Sequence, residues 1–109
     1  MTENDRRISP RFQAKRASHI VYTEGFGEVR DLSLEGLFVL DPDPLPVDSK
    51  ITFSLRAGGQ EIALNGIVRR SVPDEGMAIQ FTNLTSEAKR RLRIHIATLV
   101  ATPETLPKP

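Results

Sequence analysis

Three segments in the middle of the chain alternate apolar and polar residues with a period of two, and this pattern constrains the fold more than any other feature. The segments are residues 51–55, 62–68 and 77–81, separated by turn-forming residues at 58–59 and 73–76. Strict alternation buries one face of each strand and leaves the other face in water. The middle of the chain therefore predicts antiparallel strands around one core.

The first half of the chain predicts three more strands with a less regular pattern. They cover residues 20–22, 28–33 and 37–40, and the alternation within 28–33 is imperfect. Glycines flank Phe26 on both sides, which predicts a hairpin turn at 25–27. Several short strands at this spacing favour a small antiparallel barrel or sandwich.

The C-terminal part of the chain changes to a helical period of 3.6 residues. Thr85 or Ser86 can cap the start of a helix. The apolar stripe that should pack on the sheet consists of Ala88, Leu92, Ile96 and Leu99. Most of the basic residues at 89–93 lie off this stripe, so they predict a solvated helix face.

The chain of 109 residues contains no cysteine, which excludes disulfides, thiolate metal sites and a cysteine nucleophile. Its length suits one domain. The N-terminus is polar and lacks the apolar segment of a signal peptide. No apolar run approaches the roughly 20 residues that cross a bilayer. We therefore expect a cytoplasmic protein with no membrane partner.

Residues that could perform catalysis are sparse. The two histidines, His19 and His95, fall in different predicted elements, so they do not predict a shared metal site. Asp31 and Ser33 lie two residues apart, but no histidine accompanies them to complete a triad. No phosphate-binding P-loop or dinucleotide fingerprint occurs. We expect no catalytic residue, no metal and no cofactor, and therefore no enzyme.

The N-terminal residues 1–16 form a polar, basic arm. Its cations are Arg6, Arg7, Arg11, Lys15 and Arg16. A guanidinium group presents a rigid fork of donors that can bind a phosphate, or the O6/N7 edge of guanine, with two bonds. Taken alone, such a segment is more often a solvated tail.

A second group of polar residues lies at the end of the second predicted strand. Asp31 can accept hydrogen bonds from the N1 and N2 donors of guanine, and Ser33 can donate to a phosphate oxygen. Gly36 permits the close approach of a ring, or a positive φ angle. Taken alone, this pattern is more often turn chemistry, in which Asp and Ser bond local backbone and Gly closes the turn.

Together and in this order, the two groups resemble the signature of the PilZ domain family, bacterial receptors of the second messenger cyclic di-GMP. The signature is RxxxR followed by (D/N)xSxxG, and it is matched here by Arg7, Arg11, Asp31, Ser33 and Gly36. The resemblance implies a mostly β fold: a six-stranded antiparallel split β-barrel with a C-terminal α-helix, at residues 17–101. The flexible arm at 1–16 would precede it, and a disordered tail at 102–109 would follow.

The resemblance also implies a function. Arg7 and Arg11 would hold guanine and phosphate, Asp31 and Ser33 would bind them from the barrel, and Gly36 would leave room for a base. Arg6 precedes the motif, as in family members that hold an intercalated ligand dimer, so two cyclic di-GMP molecules are favoured. Binding would order the arm and create a surface that an unidentified effector protein reads.

Two alternatives remain at this point. One is a ligand-independent adaptor of PilZ type that works through protein contacts. The other is a nucleic-acid-binding barrel that uses the arm and the basic residues at 89–93. The net charge of only +1 and the scarcity of aromatic residues argue against nucleic acid.

Overall fold

The computed structural model describes residues 12–13, 18–23, 25–57 and 59–100. In this part of the chain it contains seven strands and one helix: β1 (Phe12–Gln13), β2 (His19–Tyr22), β3 (Gly25–Leu32), β4 (Gly36–Leu40), β5 (Lys50–Ala57), β6 (Gln60–Val72), β7 (Gly76–Thr82) and α1 (Ser86–Val100). The predicted arm outside β1 and the tail at 102–109 lie outside the described residues. No helix in the described part is long and apolar enough to cross a membrane.

Six of the strands close into an antiparallel barrel. They follow the order β3-β2-β5-β6-β7-β4, and β4 pairs back with β3. The predicted mostly β fold, a six-stranded barrel with a C-terminal helix, is therefore confirmed. The two-residue strand β1 pairs with the last two residues of β3, Asp31 and Leu32, whereas β2 pairs with the first four.

The core lies inside the barrel and under the helix. The alternating positions of β5, β6 and β7 point inward as predicted, and Leu55, Val68 and Ile79 are almost completely buried. The described part of the helical stripe, Ala88, Leu92 and Ile96, is buried against the same core. This burial of apolar surface is the main stabilising contribution to a domain of this size.

Thr85 caps the helix that covers the core. Its hydroxyl accepts a hydrogen bond of 3.0 Å from the backbone N–H of Ala88. This is the side-chain bond expected from the residue before the first helical position, because the first N–H groups of a helix have no partner within it. Of the two predicted caps, Thr85 therefore fills the role, and Ser86 is the first residue of α1.

Two bulges interrupt the regular pairing of the strands. Arg30 is an extra residue in β3, between the pairs Val29↔Val39 and Asp31↔Phe38. Arg69 is an extra residue in β6, where the register shifts between Val68 and Arg70. A bulge adds one residue to one strand, so alternation slips by one position there. The slip at Arg30 explains why the apolar–polar alternation of residues 28–33 is imperfect in the sequence.

The predicted turn at 25–27 is wrong, because these residues belong to β3. Gly25 pairs with Tyr22, and Gly27 pairs with Ile20. A β-carbon on Gly27 would overlap the carbonyl oxygen of Leu40. Gly27 therefore allows β4 to approach β3 closely. This glycine is explained by strand packing and not by a turn.

We expect Leu92→Ala to destabilise the domain by about 2–5 kcal/mol, because it empties a completely buried position between helix and barrel. Urea denaturation followed by circular dichroism measures this loss. Ile94→Ala is the matched control, since Ile94 is 55% exposed on the same helix. An equal loss in the two variants would contradict the packing of α1 described above.

We expect His95 to make the stability of the protein depend on pH. Its Nε2 atom is buried and has no hydrogen-bond partner among the described residues, and burial lowers the pKa of the ring below its ordinary value of 6.5. The unfolded chain therefore binds the proton more readily than the folded chain does. As pH falls below 6.5 toward the lower folded-state pKa, we expect stability to decrease.

The His95→Gln variant tests this dependence, because its amide does not titrate. Urea midpoints measured between about pH 7.5 and pH 5 bracket the ordinary histidine pKa. They should fall less steeply in His95→Gln than in the wild type. Parallel pH profiles would show that His95 does not carry the effect.

Candidate functional site

The turn between β3 and β4 carries the described half of the predicted site. Asp31 is the second-last residue of β3, Ser33 follows the strand, and Gly36 begins β4. The fold therefore brings these three residues together within one short connection. Arg6, Arg7 and Arg11, the other predicted site residues, lie outside the described residues.

Ser33 is completely buried and organises the turn. Its hydroxyl accepts hydrogen bonds from the backbone N–H groups of Glu35 at 3.1 Å and Gly36 at 3.3 Å. The backbone N–H of Ser33 donates to the carbonyl oxygen of Gly36 at 2.8 Å. These contacts are the local turn chemistry that the sequence left open as an alternative. They hold the connection in one shape.

Gly36 is required by the contact between β4 and β7. It pairs with Gln80, and a β-carbon at this position would overlap the carbonyl oxygen of Ile79. The adjacent carbonyl of Glu35 accepts a hydrogen bond of 2.8 Å from the N–H of Phe81. Gly36 does not have a positive φ angle. What it permits in this structure is therefore the close approach of β7.

Asp31 is linked to an arginine that sequence reasoning did not select. Its Oδ2 atom accepts a hydrogen bond of 3.1 Å from Nε of Arg30, the bulged residue of β3. The side chain of Asp31 is 17% exposed, and that of Arg30 is 51% exposed. A partly exposed carboxylate beside an exposed guanidinium can contact a bound molecule through both groups.

Phe38 supports this arginine on the outer surface of the barrel. The guanidinium carbon of Arg30 lies 4.0 Å from the centre of the Phe38 ring, a cation–π contact, and that of Arg70 lies 6.0 Å away. The ring is 3% exposed although it is not part of the core cluster. The only sequence signal for this stack was the broken alternation around Arg30.

Strand β1 brings the N-terminal segment beside Asp31. Gln13 pairs with Asp31, and Phe12 pairs with Leu32. In the sequence, Phe12 directly follows Arg11, the second arginine of the RxxxR motif. Helix α1 contacts both β1 and β6. The short strand β1 therefore contacts both α1 and β3, the strand that leads into the turn.

A cleft adjoins the turn on the side away from β1. It has a volume of about 220 Å³ and is lined by Glu35, Gly36, Arg69, Ala78, Ile79 and Gln80. The guanidinium Nε of Arg69 donates a hydrogen bond of 2.6 Å to Oε1 of Gln80. Sequence reasoning missed both polar residues, because only the pairing of β6 with β7 brings them to the turn.

The described residues contain no group of three or more histidines, cysteines, aspartates or glutamates that could hold a metal ion. The two histidines lie on β2 and α1. The polar groups of the described site are arginines, the carboxylates of Asp31 and Glu35, the Gln80 amide and backbone groups. Its guanidinium groups can bind an anionic molecule.

A sequence profile of the PilZ domain matches residues 5–98 of this chain. The chain belongs to the PilZ family. The match includes both signature motifs and all the strands of this PilZ domain. A comparison with curated proteins finds no matching relative.

Two solved structures resemble this PilZ domain in fold. The K. pneumonia protein MrkH, in its complex with c-di-GMP, has a TM-score of 0.70 at 18% identity over 85% of this chain. The chain spans only 52% of the length of that protein. An uncharacterized Legionella protein has a TM-score of 0.62 at 16% identity, over 83% of this chain and 92% of its own.

We expect Gly36→Ala to destabilise the PilZ domain by about 1–3 kcal/mol in the absence of any ligand, because the added methyl group overpacks the contact with β7. Urea denaturation of the free protein measures the effect. Glu35→Ala is the control, since its exposed side chain should change stability by less than about 0.5 kcal/mol. If Gly36→Ala were as stable as the wild type, the contact with β7 would not require glycine. Only ligand binding would then explain the residue.

Proposed function

We propose that this PilZ domain is a cytoplasmic receptor for cyclic di-GMP rather than an enzyme. The pairing of Gln13 with Asp31 carries the assignment. It holds the chain segment that immediately follows Arg11 against the strand that ends in the DxSxxG turn. Arg11 is bonded directly to Phe12, and Phe12 pairs with Leu32, the residue after Asp31.

The functional groups of cyclic di-GMP match two sets of residues. One set precedes β1 in the sequence, and the other lies at the end of β3 and in the turn after it. Arg7 and Arg11 donate forked hydrogen bonds to phosphate oxygens or to the O6/N7 edge of guanine. Asp31 accepts from the N1 and N2 donors of a guanine. Ser33 is buried and its hydroxyl donates to the carbonyl oxygen of Gly36 at 3.3 Å, so it must release that bond to donate to a phosphate oxygen. With Gly36 it fixes the turn beneath the ligand.

Arg6 extends the arginine pair by one residue and adds a third fork. We propose that this extra cation favours an intercalated pair of cyclic di-GMP molecules, because a second dianionic ligand brings further charge to the same site. Neutralising that charge is favourable only where additional cations lie close.

Ligand binding is proposed to act through β1. A molecule that contacts both the arm and Asp31 stabilises the pairing of β1 with β3, and α1 lies against β1. The bound state therefore presents the arm, β1 and α1 as one surface. We propose that an effector protein recognises this composite surface, which the free protein presents less often.

A ligand-independent adaptor is the second candidate. The internal hydrogen bonds of Ser33 and the Arg30–Asp31 ion pair favour it, since these polar groups have protein partners without any nucleotide. Buried polar groups that already have partners do not need a ligand to satisfy them. Direct measurement of nucleotide binding distinguishes the two candidates.

We expect isothermal titration calorimetry to detect cyclic di-GMP binding to the wild type. We expect Arg11→Ala to weaken it by roughly tenfold or more, because one good bidentate contact contributes about 1–3 kcal/mol. Arg16→Ala is the matched control, since it removes one positive charge from the same segment but leaves RxxxR intact. A wild type that does not bind, or an Arg11→Ala protein that binds equally well, would refute the assignment.

A further inference from the structure

The two ends of the longest strand, β6, carry surfaces of different charge. At its start, Gln60 accepts a hydrogen bond of 3.1 Å from Arg91 of α1. At its end, Val72 leads into the β6–β7 turn. The strand has 13 residues and a strand rises about 3.3 Å per residue, so α1 and this turn are up to about 40 Å apart. The two surfaces therefore lie on opposite parts of the molecule.

The part of the barrel away from α1 exposes carboxylates. The β6–β7 turn lies against the loop between β4 and β5, because the N–H of Asp41 donates to the carbonyl oxygen of Glu75 at 2.9 Å. We call the surface of these two connections the acidic end. Its exposed carboxylates are those of Asp43, Asp48, Asp74 and Glu75. The cations nearest to them along the chain are Lys50 and Arg70, so negative charge is in excess.

Apolar side chains are exposed beside these carboxylates. Leu40 directly precedes the loop and is 39% exposed, and Val47 lies within it and is 50% exposed. Phe26 is 72% exposed, and it precedes Gly27, whose backbone lies against the carbonyl oxygen of Leu40. Among the described residues, the only other large apolar side chain that is exposed is Ile94 on α1. Contact with another surface would remove this apolar area from water.

Helix α1 presents the complementary surface. Three and four residues along a helix lie on the same side, so one exposed face holds Arg90, Arg93, Ile94 and Ala97. We call this face, together with the exposed Lys89, the basic face. Arg90 pairs with Glu87 at 2.9 Å, whereas Lys89 and Arg93 make no hydrogen bond or ion pair with a described residue. The basic face therefore offers cations around one exposed aliphatic side chain.

We propose that the acidic end of one molecule docks on the basic face of a second copy of this chain. The two surfaces have opposite charge and each exposes apolar side chains, and such complementarity favours encounter and register. The net charge of +1 causes little repulsion between copies. Because the two surfaces differ, the contact is head-to-tail, and each pair leaves one surface of each kind open to further copies. The inference does not depend on the cyclic di-GMP function proposed above.

Sedimentation velocity of the protein without nucleotide tests the association. Concentrations between about 10 μM and about 1 mM cover the range in which weak complexes form. We expect the sedimentation coefficient of the wild type to rise with protein concentration. The rise should be smaller at about 1 M salt than at about 0.1 M, because the screening length falls from about 10 Å to about 3 Å. A wild type that sediments as a monomer at every concentration would overturn the inference.

Two charge-reversed variants test the pairing of the two surfaces. Lys89→Glu/Arg93→Glu reverses the basic face, and Asp43→Lys/Glu75→Lys reverses the acidic end. We expect each variant alone to lose the association, because like charges then meet, and an equimolar mixture to recover it. Ala63→Glu is the control, since it adds a charge on the exposed wall of β6 between the two ends, and it should associate as the wild type does. Thermal melting of each variant checks that it is folded.

The outcomes that contradict the inference are distinct. If Asp43→Lys/Glu75→Lys alone associates as the wild type does, the acidic end is not part of the contact and the head-to-tail arrangement is wrong. If the wild type stays monomeric but binds a short DNA duplex, and Lys89→Glu/Arg93→Glu does not, nucleic acid occupies the basic face and the inference is wrong. Neither result bears on the receptor function, because both are measured without cyclic di-GMP.

Discussion

The close backbone contact of β4 with its two neighbours is the constraint on which the rest of the structure depends. β4 pairs with β3 on one side and with β7 on the other, so it is the strand that closes the barrel. Both contacts require glycine: Gly27 faces Leu40, and Gly36 faces Ile79, each at a distance that leaves no room for a β-carbon. The position of β4 then fixes the shape of the turn between β3 and β4 and of the cleft beside Gly36.

The polar site arises where regular barrel geometry is interrupted. The bulges place Arg30 beside Asp31 and Arg69 beside Gln80, on either side of the turn that Ser33 organises. Regular strands would send alternate side chains into the core, where a guanidinium is costly to bury. The interruptions therefore let β3 and β6 carry arginines on the surface while Leu32, Leu37 and Val68 remain in the core.

Sequence reasoning succeeded where the signal was local. The alternation of residues 51–55, 62–68 and 77–81 predicted their strands, and the 3.6-residue stripe predicted the helix. It failed at 25–27, which has the composition of a turn although Gly25 begins β3 and Gly27 serves the close contact with β4. It also missed Arg69, because nothing in the neighbourhood of that residue in the sequence indicates its contact with Gln80.

By itself, the sequence determined the six main strands, the helix and the positions of the motif residues, because periodicity and motif spacing are properties of neighbouring residues. Only the tertiary structure decided that β1 lies beside Asp31, that Gly36 serves the closure of the barrel, and that Arg69 and Gln80 meet at the turn. These contacts depend on strand register and on bulges. Both are set when the barrel closes, since the strands must then twist and shift to pack one shared core.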